Sequence, residues 1–283
     1  VKQPQTKGSP LVIVVGGVDP SGGAGLLRDV ATVALRGGLA HAVGTAWTVQ
    51  GAGVHRVEPR APGAVRAAVA EAIAALRPAA VKIGMAVGPA TAAALVEALG
   101  DYAGPVVLDP VLATSRGGEL WDGEPRALLP LLRRATLVTP NAVEAGQLAH
   151  EGRDEQRGEG RGERRDRLAT IAALEDAEAA GRRLVERDGL RAVLVKGGHL
   201  RGPEATAAET VTDLLITPAG TRRASHARVA GPTPRGTGCA LATAIAVELG
   251  RGRDLPAAVD AATEWLAGAI ATAVDVGAER HLR

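Results

Sequence analysis

The sequence predicts an α/β protein built around a mainly parallel sheet. Three observations carry that expectation. Short runs rich in β-formers alternate with alanine-rich stretches of helical spacing, the pattern of βαβ units. Two glycine-rich segments each precede a stretch of helical spacing. The length, 283 residues, exceeds most single domains but is one at which α/β folds still close around a single sheet, so one domain over residues 1–283 is expected.

Behind a polar tail from Val1 to Pro10, Leu11 to Val15 forms the first β-rich run, too short for a signal-peptide core or a membrane span. The loop Gly16 to Gly25 follows and leads into a helix whose apolar stripe reads Leu27, Val30, Ala31 and Ala34, with Asp29 expected on its exposed side. Ala42 to Val49 is the next strand. From Gly63 to Arg77, the residues Val65, Ala68, Val69, Ala72, Ile73 and Leu76 recur three and four apart, which is one face of a helix, and Pro78 stops it.

Ala79 to Ile83, Val106 to Leu108, Leu137 to Thr139 and Ala192 to Val195 read as further strands. Between Glu151 and Arg167 the apolar period vanishes and Arg, Glu, Asp and Gly mix with their signs nearly balanced, as in a solvated, mobile insertion. Thr210 to Ile216 and Arg222 to Val229, joined by Pro218-Ala219-Gly220, read as a hairpin added to the sheet. Leu241, Ile245 and Leu249 mark a helix behind the second glycine loop.

Composition narrows the function. With 46% hydrophobic and 23% charged residues, the chain has a globular balance. Phe is absent and only three Trp and one Tyr occur, so Ala, Val and Leu must fill the core and helices must pack closely on small residues. A formal charge of +2 and scarce aromatic rings argue against nucleic acid as a partner. Cys239 is the only cysteine, which excludes an intrachain disulfide and fits a cytoplasmic protein.

The second glycine loop runs Gly231-Pro-Thr-Pro-Arg-Gly-Thr-Gly-Cys239. Gly236 and Gly238 can take backbone angles closed to other residues, and the helix behind them aims free N–H groups at a ligand: an anion site. A Walker loop needs Lys after its last glycine, and Thr237 stands there instead; neither glycine cluster fits G-x-G-x-x-G. Cys239 falls in the first turn of that helix, where the dipole favours thiolate over thiol, against the plainer reading of a small buried hydrophobe.

Lys82-Ile-Gly-Met85, Asp109-Pro110 and Thr139-Pro-Asn141 all fall at the C-terminal ends of predicted strands, the edge at which open α/β sheets bind ligands. Glu144, three residues beyond Asn141, can hold Mg²⁺ directly or through water, while Asn141 is equally well placed to cap the helix. In Lys196-Gly-Gly-His199 the glycines, Gly198 among them, let phosphates approach while Lys196 supplies a point charge. Asp19 and the backbone of the first glycine loop can line a ligand.

In this order these segments resemble the hydroxymethylpyrimidine kinase/phosphomethylpyrimidine kinase family of thiamin biosynthesis, within the ribokinase-like superfamily. The resemblance covers nearly the whole chain. It rests on Gly17 to Gly25, Thr45-Ala-Trp-Thr-Val-Gln50, Lys82 to Met85, Leu108-Asp-Pro-Val111, Thr139 to Glu144, Lys196 to His199 and Gly236 to Cys239. It implies a three-layer α/β sandwich and two successive ATP-dependent phosphorylations with Mg²⁺. The first is of the hydroxymethyl group of 4-amino-5-hydroxymethyl-2-methylpyrimidine and the second of its monophosphate.

By the same resemblance Gly17, Asp19, Ala24, Gln50, Met85 and Val111 form the pyrimidine pocket. Cys239 lies beside the reacting hydroxyl with Gly236, Thr237 and Gly238; Lys196, Gly198 and Asn141 serve ATP; Asp109 and Glu144 serve the metal. A homodimer is a family expectation. The chain departs from the family's pattern at Thr233-Pro234-Arg235, where Asn-Thr-His is usual, at Gly51 for an Asn, and at Thr263 for a Lys. Arg235 is thereby expected to place a cation next to the transferred phosphate. The rival expectations are a pyridoxal kinase-like enzyme and a non-catalytic sensor on the same scaffold.

Overall fold

Successive residues of the first strand point to opposite faces of a sheet that is buried on both: Ile13 and Val15 belong to one core, Val12 and Val14 to the other. A strand buried on both faces reads as a continuous apolar run. The computed structural model describes residues 9–50, 54–113, 118–150, 173–198, 210–277 and 279–283. The charged segment 151–167, Gly51 and His199 lie outside the described residues.

The strands are β1 (Leu11–Val18), β2 (Leu39–Gln50), β3 (Val54–Pro59), β4 (Ala80–Ile83), β5 (Val106–Leu108), β6 (Leu137–Val138), β7 (Val193–Val195), β8 (Thr210–Thr217) and β9 (Gly220–Ala227). They form a nine-stranded sheet in the order β3-β2-β1-β4-β5-β6-β7-β8-β9. The run from β2 to β7 is parallel. The expected hairpin β8–β9 closes one edge antiparallel, and β3, which has no separate signature in the sequence, closes the other.

Helices cover both faces. On one lie α2 (Pro62–Leu76), α3 (Pro89–Leu99), α4 (Leu129–Leu132), α5 (Ala142–Ala149) and α6 (Leu174–Glu186), packed with Ile13, Val81, Leu108, Val138 and Val195. On the other lie α1 (Gly25–Leu35), α7 (Thr237–Gly250) and α8 (Leu255–Ala271), packed with Val12, Ala80, Val107 and Leu194. The result is a three-layer sandwich of the ribokinase-like type. Small residues make the close packing: Ala240, Ala242, Ala244 and Ala246 are fully buried in α7, which is wedged between the sheet and its neighbours α1 and α8. In α6 a Cβ on Gly181 would overlap Ile216.

The apolar stripe of α1 is rotated by one residue from the sequence expectation. Leu27 and Ala34 face solvent, and the buried face is Leu26, Asp29, Thr32 and Val33. Asp29, expected outside, is completely buried. With alanines and apolar residues on both sides of α1, spacing sets the helix but not its phase. The phase is set by what Asp29 and Thr32 meet inside.

Candidate active site

From β1 the chain goes to β2 on one side and, after β3, to β4 on the other. The loops leaving β1 and β4 therefore part at the C-terminal ends of the parallel strands, where open α/β sheets bind ligands. A cavity of about 790 Å³ opens there. Strand ends supply Asp19, Met85, Asp109, Asn141 and Lys196; helix starts supply Ala24, Glu144 and Gly236 to Cys239.

The two glycine loops touch. Gly236 caps α7 at φ +70°, and a Cβ there would overlap the Gly23 carbonyl oxygen. Gly25, at φ +60°, is closed against the Gly17 carbonyl in the same way. Gly238 has an ordinary helical φ, and its glycine serves approach: a Cβ would stand 3.0 Å from Lys196 Nζ. Among the described residues no side chain caps α7, so the N–H groups of its first turn, unmatched within the helix, face the cavity with the positive end of the dipole.

Opposite that helix end stands a charged pair. Lys196 Nζ donates to Asp109 Oδ1 at 2.7 Å, and Thr139 Oγ1 donates to the same oxygen at 3.2 Å. Burial works against both charges, but Asp109 and Glu144 keep the Lys196 pKa above its ordinary value, and Lys196 and Lys82 hold Asp109 below its own. Asn141 and Glu144 form a capping box on α5. Asn141 Oδ1 accepts the Glu144 N–H at 2.9 Å, and Glu144 Oε2 accepts the Asn141 N–H at 2.8 Å. Asn141 thus caps a helix at the cavity wall, and burial pushes the Glu144 carboxyl up to about 7.

Among the described residues no three or more His, Cys, Asp or Glu side chains gather into a metal cage. Two carboxylates on one rim fit Mg²⁺, which keeps several waters and takes its remaining ligands from phosphates.

A second pair lines the floor of the cavity. Lys82, fully buried, donates to Asp29 Oδ2 at 2.6 Å, and Thr243 Oγ1 donates to Asp29 Oδ1 at 2.8 Å. Burial opposes the Lys82 charge, yet Asp29, Cys239 and Asp109 raise its pKa, so it remains a cation.

Cys239 lies above this pair, and its charge state differs from the sequence expectation. Burial pushes the thiol up to about 11; Lys82 and the Gly25 N–H pull down, while Asp29 and Asp109 push up again. The helix end is one contribution among several, and desolvation outweighs it. Because the fold favours the thiol, its contribution to stability is present below the ordinary value of 9.0 and is lost as pH rises through about 11. At pH 8 Cys239 is expected to react with iodoacetamide more slowly than free cysteine, with a rate midpoint near pH 11. A midpoint below pH 8, followed by mass spectrometry, would establish a resting thiolate.

At the other end of the cavity Gly17 passes under Met85, whose sulfur would lie 2.5 Å from a Cβ on Gly17. Met85 is fixed by its carbonyl, which accepts from Thr45 Oγ1 at 2.7 Å. Ala24, Val111 and Gly198 line the same cavity. Gln50 ends β2, and its side chain lies outside the described residues. Both Asp19 oxygens are engaged within the protein: Oδ1 accepts the Ser21 N–H and Oδ2 accepts from Arg235, each at 3.0 Å. Arg235, expected next to the transferred phosphate, lines the cavity and points its guanidinium at Asp19 and Glu279.

Residues 19–282 match the family model described as phosphomethylpyrimidine kinase. The chain belongs to the phosphomethylpyrimidine kinase family. A hydroxymethylpyrimidine/phosphomethylpyrimidine kinase of Rhizobium meliloti is 35% identical over 266 residues, covering 93% of this chain and 91% of that protein. The crystal structure of a phosphomethylpyrimidine kinase from Clostridium difficile superposes with a TM-score of 0.68 at 28% identity, over 93% of this chain and 99% of the other. An ADP complex of Bacillus subtilis pyridoxal kinase superposes at 0.79 over 97% of both chains, with 22% identity, a likeness of fold. No helix among the described residues is long and apolar enough to cross a membrane.

Within this phosphomethylpyrimidine kinase fold several cavity residues escaped the sequence. Asp213, buried on β8, accepts the Gly197 N–H at 2.7 Å and so holds the loop behind Lys196. His226 on β9 also lines the cavity, as does Thr263 on α8, the position where the sequence departs from the family's Lys. The alternation of β8 puts Asp213 two residues from Val211 on one face, a signal for its orientation though not for its partner. For Asp29, the available signal was its place three residues after Leu26 and four before Val33.

Proposed function

We propose that this chain is an ATP-dependent phosphotransferase that phosphorylates the hydroxymethyl group of 4-amino-5-hydroxymethyl-2-methylpyrimidine and then the resulting monophosphate, in thiamin biosynthesis. The observation that carries this reading is the opposition, across one cavity, of the uncapped α7 N-terminus to the Lys196–Asp109 pair, with the small-ring pocket of Gly17, Met85 and Val111 at its other end.

Phosphoryl transfer asks a protein mainly to align reactants and neutralise charge. The N–H groups of Gly236, Thr237 and Gly238 receive the oxygens of the transferred group, Lys196 adds a fixed cation, and Asn141 and Gly198 flank the nucleotide. Gly17, Ala24, Met85, Val111 and the Gln50 amide hold the ring, and Asp19 shapes the loop around it. Mg²⁺, held near Asp109 and Glu144, neutralises phosphate charge when bound. A thiol whose pKa stands near 11 is a poor resting base, so Cys239 holds the attacking hydroxyl in line. The hydroxyl oxygen then bonds to the γ-phosphorus as the bond to the ADP oxygen breaks, and the hydroxyl proton passes to an oxygen of the transferred phosphoryl group.

Incubating the purified protein with ATP, Mg²⁺ and either the hydroxymethylpyrimidine or pyridoxal, and following products by mass spectrometry, tests this. Mono- and diphosphate of the pyrimidine are expected. Product from pyridoxal alone would transfer the reading to that vitamin, and product from neither would sink it.

A further inference from the structure

The C-terminal end of the chain reaches both glycine loops. β10 (Val274–Val276) and β11 (Glu279–His281) pair antiparallel outside the main sheet. The Arg235 N–H donates to the Arg280 carbonyl at 2.9 Å, immediately before the anion loop begins at Gly236. Arg28 Nη1 donates to the Leu282 carbonyl at 3.0 Å and Nη2 to the Gly22 carbonyl at 3.1 Å, and the His281 ring packs 3.1 Å from where a Cβ on Gly23 would stand.

At the centre of these contacts is one guanidinium between two carboxylates. Both Glu279 oxygens lie 2.9 Å from Arg235 Nη1, and Nη2 reaches Asp19 Oδ2 at 3.0 Å. The side chains of Arg235, Glu279 and Asp19 are 15%, 16% and 2% exposed, so water screens this cluster far less than it would a surface pair. Glu279 also meets the His281 ring nitrogen Nε2 at 3.3 Å, and its link to Asp19 runs through Arg235. Arg235 in turn grips the one carboxylate of the first glycine loop and precedes the helix end that receives phosphate.

We propose that Glu279 is a positioning residue of the active site. Through Arg235 it holds Asp19, and with Asp19 the first glycine loop, in register with the anion loop, so that the C-terminal strand pair acts as a strap over the ring end of the cavity. The inference rests on the reaction proposed above. It differs from a general stabilising role in its expected asymmetry: the strap bears on the ring pocket and the first loop, while Lys196, Asn141 and Asp213 at the nucleotide end are held by β6, β7 and β8.

The test is steady-state kinetics of Glu279→Ala and Glu279→Gln with ATP and the hydroxymethylpyrimidine, together with thermal melts and amide hydrogen exchange over residues 19–25. Loss of a charge-assisted contact predicts a rise of about ten-fold in KM for the pyrimidine in Glu279→Ala, a smaller rise in Glu279→Gln, and KM for ATP within about two-fold of wild type. Exchange over residues 19–25 should quicken in the same order. Unchanged pyrimidine KM and exchange would overturn the proposal, and so would a parallel rise of both KM values in proportion to lost melting temperature. If the wild type phosphorylates nothing, the functional reading fails by itself. Exchange then decides the strap alone, since faster exchange in both variants supports it and unchanged exchange rejects it.

Discussion

Lys82→Met is expected to lower the unfolding free energy by about 3–5 kcal/mol, because it strands a buried carboxylate without its cation. Lys82 and Asp29 are fully buried, 2.6 Å apart, and among the described residues Thr243 is the other side-chain donor to Asp29. Burial pushes the Asp29 carboxyl above its ordinary value, so without Lys82 the loss should be smaller in acid, where Asp29 is protonated in both states, and larger at pH 8, where the folded chain must either bury an unpaired charge or hold a proton the unfolded chain releases. Restoring neutrality with Asp29→Asn in the same chain should recover part of the stability, since a buried pair replaced as a unit costs far less than one broken. Urea unfolding of the single and double variants at two pH values measures this. A loss below about 1 kcal/mol at pH 8, of the size found for exposed pairs, would mean that the pair contributes little.

Cys239→Ala is expected to lower turnover by about 100-fold, the order of loss when a reacting group is misplaced by about 1 Å, with KM for ATP little changed. The thiol stands in the first turn of α7 beside the Lys82–Asp29 pair. Cys239→Ser keeps a hydrogen-bonding group there and should recover part of the rate if positioning is the role. If the thiolate were the base, serine, with a far less acidic hydroxyl, would be as poor as alanine. Unchanged turnover in Cys239→Ala would remove Cys239 from the chemistry.

These two positions show what patterning in one dimension conveys. Gly236-Thr-Gly-Cys239 reads as a helix start facing an anion because φ > 0 at Gly236 and a free helix end are local properties, written in adjacent residues. Lys196, Asp109 and Asn141 read as rim residues because each follows an apolar run that can only be a buried strand, and parallel strands place their C-terminal ends along one edge. The same logic recovered the hairpin β8–β9 and the helix α2 nearly to their observed bounds.

The misplaced readings share one cause. The sequence puts Asp29 in solvent and turns α1 by one residue, because a charged side chain on an alanine-rich helix has two faces open to it until its partner, Lys82, arrives from another strand. The helix position of Cys239 argues for a thiolate over a buried hydrophobe, whereas its pKa follows desolvation and three charges drawn from α1, β4 and the end of β5. For Arg235 the sequence offers its neighbour Gly236 but not its partners, Asp19 and Glu279, which lie far away in the chain.

By itself, then, the sequence determined the α/β class, the parallel strand order's ligand edge, the two glycine loops and the residue types that meet there, since each depends on hydrophobic period or local backbone freedom. Only the tertiary structure decided the phase of α1, the protonation of Cys239, the double use of Asn141 as cap and wall, and the meeting of Arg235 with Asp19 and Glu279. Those depend on which charges meet out of water, and burial makes such meetings strong while leaving no trace of them in the spacing of residues along the chain.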